Sequence, residues 1–273
     1  MPLLSTSEII KKYQLNAKKS LGQNFILDKN FTDKIVKSAG NLEEFEVLEI
    51  GPGPGSLTRS ILDSKPKKLY AIERDERCIE ALQELKLFYG ENLNIVSADA
   101  LEINERDLFG DRKFKIIANL PYNIGTVLIF KWLKISNNIS SMHLMLQKEV
   151  VERITAKVGD NHYGRLAVMI NFLCDTRMVF TVNKTVFTPP PKVTSAIVEI
   201  IPKEKPISDV DFSKLEKVVA AAFNQRRKMI RSSLKSVFSD VEQILQKTKI
   251  NPQLRAENLT IEQFCEIAKH LTT

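Results

Sequence analysis

The sequence predicts an α/β protein: a mostly parallel sheet covered on both faces by helices, then a small all-helical C-terminal domain. Three observations carry this expectation. Between Glu46 and Val158, short apolar strands alternate with helical patterns. Four successive strands end in a glycine or a polar side chain, at Gly51, Glu73, Asp99 and Asn119. Beyond Pro202 and Pro206, only helical periodicity remains. Alternation of this kind implies parallel βαβ units.

The elements follow in order. The first forty residues read as amphipathic helix, interrupted at Ser20-Leu21-Gly22-Gln23-Asn24-Phe25. Asp28 suits an N-cap for a helix to about Ser38. Glu46–Ile50 is a short apolar strand running into glycines, and residues 56–63 form a helix with Leu57, Ile61 and Leu62 on one face. Residues 69–72 form a strand, followed by a helix through Cys78, Ile79, Leu82 and Leu85. Strands at 94–98 and 114–118 come next, then a helix over 125–135, a strand over 142–147 and a helix over 150–158. Two late strands, about 177–182 and 195–201, flank Thr188-Pro189-Pro190-Pro191, which suggests an antiparallel pair at a sheet edge. Helices are expected over 211–224, 226–238, 240–248 and 260–271. The expected division is a first domain over 1–203 and a second over 204–273.

The chain has 273 residues, 43% hydrophobic and 27% charged, enough for a core that needs no crosslinks. The three cysteines, Cys78, Cys174 and Cys265, lie far apart with no CxxC pair, and the three histidines are scattered. These counts argue against a disulfide framework and a metal site. Apolar runs are short and broken by charge, and Met1–Lys12 lacks the apolar stretch of a signal peptide, so a cytoplasmic protein is expected. A net charge of +7 favours polyanionic partners. Its placement is more specific: between Lys217 and Lys235 there are six basic residues and no acid. Lys11, Lys12, Lys18 and Lys19 form a second basic region. Such regions suit a groove that tracks a phosphate backbone, and a run of this kind also fits a solvated helix face.

Glu49-Ile50-Gly51-Pro52-Gly53-Pro54-Gly55 follows a strand and opens a helix. Glycines there allow a tight turn and close approach to a ligand. Taken alone, the loop also fits a simple βα turn. Its neighbours add weight. Glu73, 22 residues after Gly51, is placed to accept hydrogen bonds from ribose hydroxyls, and Asp99 and Asn119 end the next two strands. Ligands in open parallel sheets bind outside the carboxyl ends of strands. No Walker lysine follows the glycines, and the proline-spaced loop does not match a pyrophosphate seat. S-adenosylmethionine (SAM), which has ribose and adenine but no phosphate, fits better.

Asn119-Leu120-Pro121-Tyr122 resembles the (N/D/S)-P-P-(Y/F) signature of methyltransferases acting on conjugated nitrogen. An adenine amine delocalises its lone pair and is a poor nucleophile. The Asn119 side chain and the Leu120 carbonyl can accept its two N–H bonds and aim the lone pair at a methyl donor. Catalysis would then rest on positioning and electrostatics, with no strong base. Tyr122 would stack on one face of the base and Phe187 on the other, each stack contributing about 1–3 kcal/mol.

Over Lys18 to about Leu259 the chain resembles the KsgA-type rRNA adenine dimethyltransferases. The resemblance rests on Lys19-Ser20-Leu21-Gly22-Gln23-Asn24-Phe25, Glu49-Ile50-Gly51-Pro52-Gly53, Asn119-Leu120-Pro121-Tyr122-Asn123-Ile124, Tyr163-Gly164-Arg165-Leu166, Phe187-Thr188-Pro189-Pro190-Pro191-Lys192-Val193 and Phe223-Asn224-Gln225-Arg226-Arg227-Lys228. It implies a Rossmann-like SAM-dependent methyltransferase fold, with a seven-stranded, mostly parallel sheet and an antiparallel edge strand. It implies dimethylation of two adjacent adenosines in the 3′-terminal hairpin loop of 16S rRNA, late in assembly of the 30S subunit. Loss of that activity confers kasugamycin resistance in bacteria. The implied SAM contacts are Asn24, Ile26, Gly51, Glu73, Asp99 and Asn119, and the implied adenine contacts are Asn119, Leu120, Tyr122 and Phe187. The motif containing Gln23-Asn24-Phe25 would close over the cofactor. Arg226, Arg227, Lys228, Arg231 and Lys235 are expected to meet RNA phosphates. Pro54, Gly125 and Val127 depart from the residues common in that family. A monomer without metal or membrane partner is expected. Two alternatives share much of the motif set: an Erm-type 23S rRNA adenine methyltransferase, and an assembly or transcription factor of the same fold without catalysis.

Overall fold

A computed structural model describes residues 3–17 and 23–272. Lys18–Gly22, which hold part of the first motif and two of the early basic residues, lie outside the described residues. The chain forms two compact units, one comprising residues up to Val151 plus Arg177–Pro202, the other Glu152–Thr176 plus residues from Lys203 onward.

The first unit opens with α1 (Thr6–Lys12), started by a capping box between Ser5 and Glu8. Ile9 and Leu15 pack with Phe25, Cys78 and Ala81. A two-residue strand, β1 (Phe25–Ile26), leads to α2 (Lys29–Ser38), where the Asp28 carboxylate accepts the Asn30 and Phe31 N–H groups. Then the alternation begins: β2 (Glu46–Ile50), α3 (Ser56–Asp63), β3 (Lys68–Glu73), α4 (Glu76–Tyr89), β4 (Leu93–Ser97), α5 (Glu105–Phe109), β5 (Phe114–Asn119), α6 (Gly125–Leu133) and β6 (Ile139–Gln147). Helix α7 (Lys148–Thr155) carries the chain into the second unit and α8 (Arg165–Leu173) lies there. Strand β7 (Cys174–Val182), β8 (Phe187–Thr188) and β9 (Ser195–Pro202) return it to the first.

The main sheet has seven strands in the order β4-β3-β2-β5-β6-β9-β7. Strand β2 pairs in parallel with β3 and β5, β3 with β4, and β5 with β6, whereas β9 runs antiparallel to β6. Parallel central strands are buried on both faces and read as apolar runs. Val47, Leu48 and Ile50 of β2 are buried accordingly, as are Ile116, Ile117 and Ala118 of β5. Ile35, Val36, Leu57, Ile61, Leu82 and Leu85 from α2, α3 and α4 join that core. Strand β8 does not enter the sheet. It pairs antiparallel with β1, setting Ile26 opposite Phe187 and Phe25 opposite Thr188.

The second unit contains α8, α9 (Phe212–Asn224), α10 (Ile230–Ser233), α11 (Val241–Lys247) and α12 (Ile261–Lys269). Helices α8, α9 and α12 pack against one another. The expected division at 203/204 therefore needs correction: residues 152–176 belong to the second unit. Their contacts explain this. Tyr163 is buried and donates its hydroxyl to the Leu259 carbonyl at 3.0 Å, and its ring meets Phe223 edge-on at 6.2 Å. Helix α8 was not expected from the sequence. Its segment Arg165-Leu166-Ala167-Val168-Met169-Ile170-Asn171-Phe172-Leu173 is apolar nearly all round, which blurs helical periodicity. The expected helix over 226–238 is also corrected. Residues 225–228 form a turn, Met229 bridges Arg255, and Ile230 donates to the Leu254 carbonyl. Ile230, Leu234 and Phe238 keep helical spacing, but a continuous helix would align Arg227, Arg231 and Lys235 at four-residue spacing, and this repulsion and the pairing with residues 254–255 favour a break before α10.

Leu48 is fully buried three residues before Gly51. Leu48→Ala is expected to destabilise the protein by about 2–5 kcal/mol, read from urea unfolding.

Candidate functional site

Backbone pairing continues past the ends of the parallel strands and holds their tips together. Gly51 donates to the Ile72 carbonyl at 2.9 Å, Ala98 to Glu73 at 3.0 Å and Leu120 to Met145 at 3.2 Å. Gly51 and Gly53 adopt φ of +65° and +55°, which glycine tolerates without strain. A Cβ on Gly51 would lie 4.0 Å from Pro121 Cδ, so the glycine loop and the Asn119–Tyr122 loop are immediate neighbours. A single pocket is lined by Asn24, Ile26, Gly51, Glu73, Asp99, Asn119, Leu120, Pro121, Tyr122 and Phe187. It thus brings together every residue expected to touch cofactor or adenine.

The acidic side chains of this pocket differ in what they do. Glu73 is buried, and its carboxylate accepts the N–H groups of Gly53 (3.0 Å), Arg74 (2.8 Å) and Asp75 (2.9 Å). It therefore shapes the glycine loop as well as lining the pocket. Asp99 accepts the Leu101 N–H at 2.9 Å and pairs with Arg74 at 3.0 Å. The Leu101 N–H, then the Arg74 guanidinium, hold its carboxyl below the usual range. Glu49 lines the same pocket, almost wholly buried, and its Oε2 makes no hydrogen bond among the described residues. Burial, with the nearby Glu73 charge, pushes its carboxyl up to about 8. Sequence reasoning did not assign Glu49 a role, because inside an apolar strand it offers no signal beyond being the one charged residue among buried neighbours.

The residues expected on the adenine side are held from several directions. Asn119 Nδ2 makes a long 3.4 Å contact to the Asn24 carbonyl. The Ser56 hydroxyl donates to the Ile26 carbonyl, and Gln23 Nε2 donates to Asp75 Oδ2 at 3.0 Å, so residues 23–26 are fastened over the strand tips. Arg77 and Gln23 hold the Asp75 carboxyl down at about 2. Phe187 is buried in the β1–β8 ladder. The Tyr122 hydroxyl meets the Ser195 hydroxyl at 2.8 Å, a partner the sequence did not reveal because it lies 73 residues away. At the departures from the family pattern, a Cβ on Gly125 would fall 2.7 Å from Leu146 Cδ2, so Leu146 occupies that space, and Val127 is exposed.

The basic residues proposed for RNA lie in the second unit. Arg227, Lys228, Arg231 and Lys235 are exposed. Arg226 is committed within that unit: it donates to the Asn161 carbonyl at 2.8 Å and pairs with Glu257 at 3.3 Å. No group of three or more metal-ligating side chains is found among the described residues, and none of their helices is long and apolar enough to cross a membrane.

Seven strands in this order, with a glycine loop after β2, an acid at the end of β3 and Asn-Leu-Pro-Tyr starting at the end of β5, define a Rossmann-like methyltransferase. A dimethyladenosine transferase from Plasmodium falciparum superposes with a TM-score of 0.75 at 28% identity, covering 89% of this chain and 95% of that one. The 23S rRNA methyltransferase ErmE gives 0.70 at 26%, covering 91% and 99%. The family model described as ribosomal RNA adenine dimethylase matches residues 14–273, and the chain belongs to that family. Curated relatives named ribosomal RNA small subunit methyltransferase A include proteins from Sinorhizobium fredii (49% identical, 97% of this chain and 89% of that one) and Paramagnetospirillum magneticum (46%, 97% and 93%).

The pocket fits SAM, the cofactor of this class. Its buried acids, Glu49 with an unpartnered oxygen among them, suit a donor bearing a sulfonium and an amine. A raised carboxyl pKa means the folded state holds a proton that the unfolded chain releases. Glu49 therefore lowers stability as pH rises from the ordinary carboxylate range to about 8. Glu49→Gln, which stays neutral, is expected to flatten that decline. Thermal melts of both proteins from pH 5 to 9 check it, and parallel profiles would contradict the assignment.

Proposed function

We propose that this chain transfers methyl groups from SAM to the exocyclic amines of two adjacent adenosines in the 3′-terminal hairpin loop of 16S rRNA, within the immature 30S subunit. The carrying observation is the placement of Asn119–Tyr122 beside the glycine loop. Family membership and the names of the curated relatives support the substrate class.

Bound SAM supplies the electrophilic methyl group. The protein positions the amine. The Asn24 carbonyl can only accept, so the contact with it turns the Asn119 NH2 group away and leaves Oδ1 as an acceptor for the target amine. The Leu120 N–H is tied to the Met145 carbonyl, which steadies the backbone beside the second acceptor, the Leu120 carbonyl. Two accepted N–H bonds pull the nitrogen toward tetrahedral geometry and free its lone pair. Tyr122 and Phe187 hold the two faces of the base. Asn119 has no basic group, so the proton leaves to solvent after transfer. Catalysis is positioning and electrostatic stabilisation. Arg227, Lys228, Arg231 and Lys235 supply phosphate contacts that carry no sequence information.

The test uses 30S particles that lack the modification, incubated with the protein and labelled SAM, followed by mapping of the labelled adenosines. Two adjacent dimethylated adenosines near the 16S 3′ end are expected; label confined to other positions of the 16S rRNA, or none at all, overturns the reading. In the same assay Asn119→Ala is expected to lower turnover by roughly 10²–10³-fold while 30S binding persists.

Charge reversal at Arg227 and Lys228 is expected to weaken 30S binding and to lower its salt slope by about one for each phosphate that is no longer neutralised. Arg226 is left intact in that variant, since its partners lie within the protein.

A further inference from the structure

We propose that Ser195 is a positioning residue for the methyl transfer: its hydroxyl holds the hydroxyl of Tyr122 and so sets the plane of the ring on which the target adenine stacks. This rests on the stacking role given to Tyr122 above.

Tyr122 sits in the turn between β5 and α6, outside any strand ladder. Its backbone is steadied from one side, where Ile124 and Gly125 donate to the Pro121 carbonyl, each at 3.2 Å. A half-buried ring on such a turn still has torsional freedom. The far end is fixed by Ser195, 2.8 Å from the phenol oxygen. Ser195 is well placed to be that anchor. It is 1% exposed and is the first residue of β9, opposite Gln147 in the antiparallel pairing with β6. The adjoining Lys148 N–H donates to the Thr194 carbonyl at 2.8 Å, so the strand end is held on both sides of the serine. The Tyr122 ring is therefore pinned at its backbone by the β5–α6 turn and at its hydroxyl by the sheet. Stacking alone would be served by phenylalanine; the hydrogen bond explains a use for the phenol. Misplacing a reacting group by about 1 Å can slow transfer by about 10²-fold.

The experiment is a double-mutant cycle on Ser195→Ala and Tyr122→Phe, with initial rates on unmodified 30S particles and SAM binding by calorimetry. Each single variant is expected to lower kcat by about three- to tenfold, the worth of one neutral hydrogen bond. KM for 30S and SAM affinity are expected to change less than kcat. The double variant is expected to lose no more than either single one, since both remove the same bond. Multiplying losses, or a Ser195→Ala defect confined to melting temperature, overturn the proposal. Tyr122→Phe keeps the ring and the fold, so wild-type kcat in that variant overturns it whatever Ser195→Ala does. Tyr122→Ala separates the two readings. Full activity there removes the stacking role itself; lost activity there, beside normal Ser195→Ala kinetics, removes only the anchor.

Discussion

The parallel register of β3, β2, β5 and β6 is the constraint on which the site depends. Parallel strands hydrogen-bonded in register must end side by side, and here the pairing runs on past the strands through Gly51, Ala98 and Leu120. Loops that leave these ends start within a few ångströms of one another. A glycine loop, three acids and an amide–aromatic motif, separated by up to 70 residues in sequence, thus face one pocket. A slip of one residue in β2 would turn Glu49 from the pocket floor to the opposite face and disturb the core packing of Val47 and Leu48.

The second requirement is closure by a segment with almost no regular structure of its own. Two residues of β1 pair with two of β8, and that short ladder sets Phe187 and the adjoining Asn24 in the pocket lining. So few backbone bonds would not hold alone. The Ser56 hydroxyl on the Ile26 carbonyl and Gln23 on Asp75 supplement them. Asn24 also meets Asn119, so the residues proposed for cofactor and for target share one tether. The carboxyls add a selectivity argument. Glu73 and Asp99 line one pocket with Glu49, and a cationic donor there would favour the ionised form of Glu49, which a phosphate-bearing nucleotide would oppose.

Much of this was legible in the chain. The strand–helix alternation, the residues closing each strand and the Asn-Leu-Pro-Tyr motif are local features, and local features survive in sequence. The continuous helix expected over 226–238 failed because Ile230, Leu234 and Phe238 keep their spacing even where Met229 and Ile230 pair with Leu254 and Arg255 instead. Helix α8 was missed for the opposite reason: a segment buried on nearly every side has no polar face to mark its period. The assignment of 152–176 to the second unit depends on Tyr163 reaching Leu259, a contact across 96 residues.

The sequence by itself determined the fold class, the cofactor class and the residues offered at the strand tips, because strand ends, glycine turns and short motifs are set by neighbours in the chain. Only the tertiary structure decided that Glu49 is a buried acid with an unpaired oxygen, that Arg226 is held within its own unit, and that Ser195 meets Tyr122. Those facts depend on burial and on pairs distant in sequence, and neither quantity is encoded at any single stretch of residues.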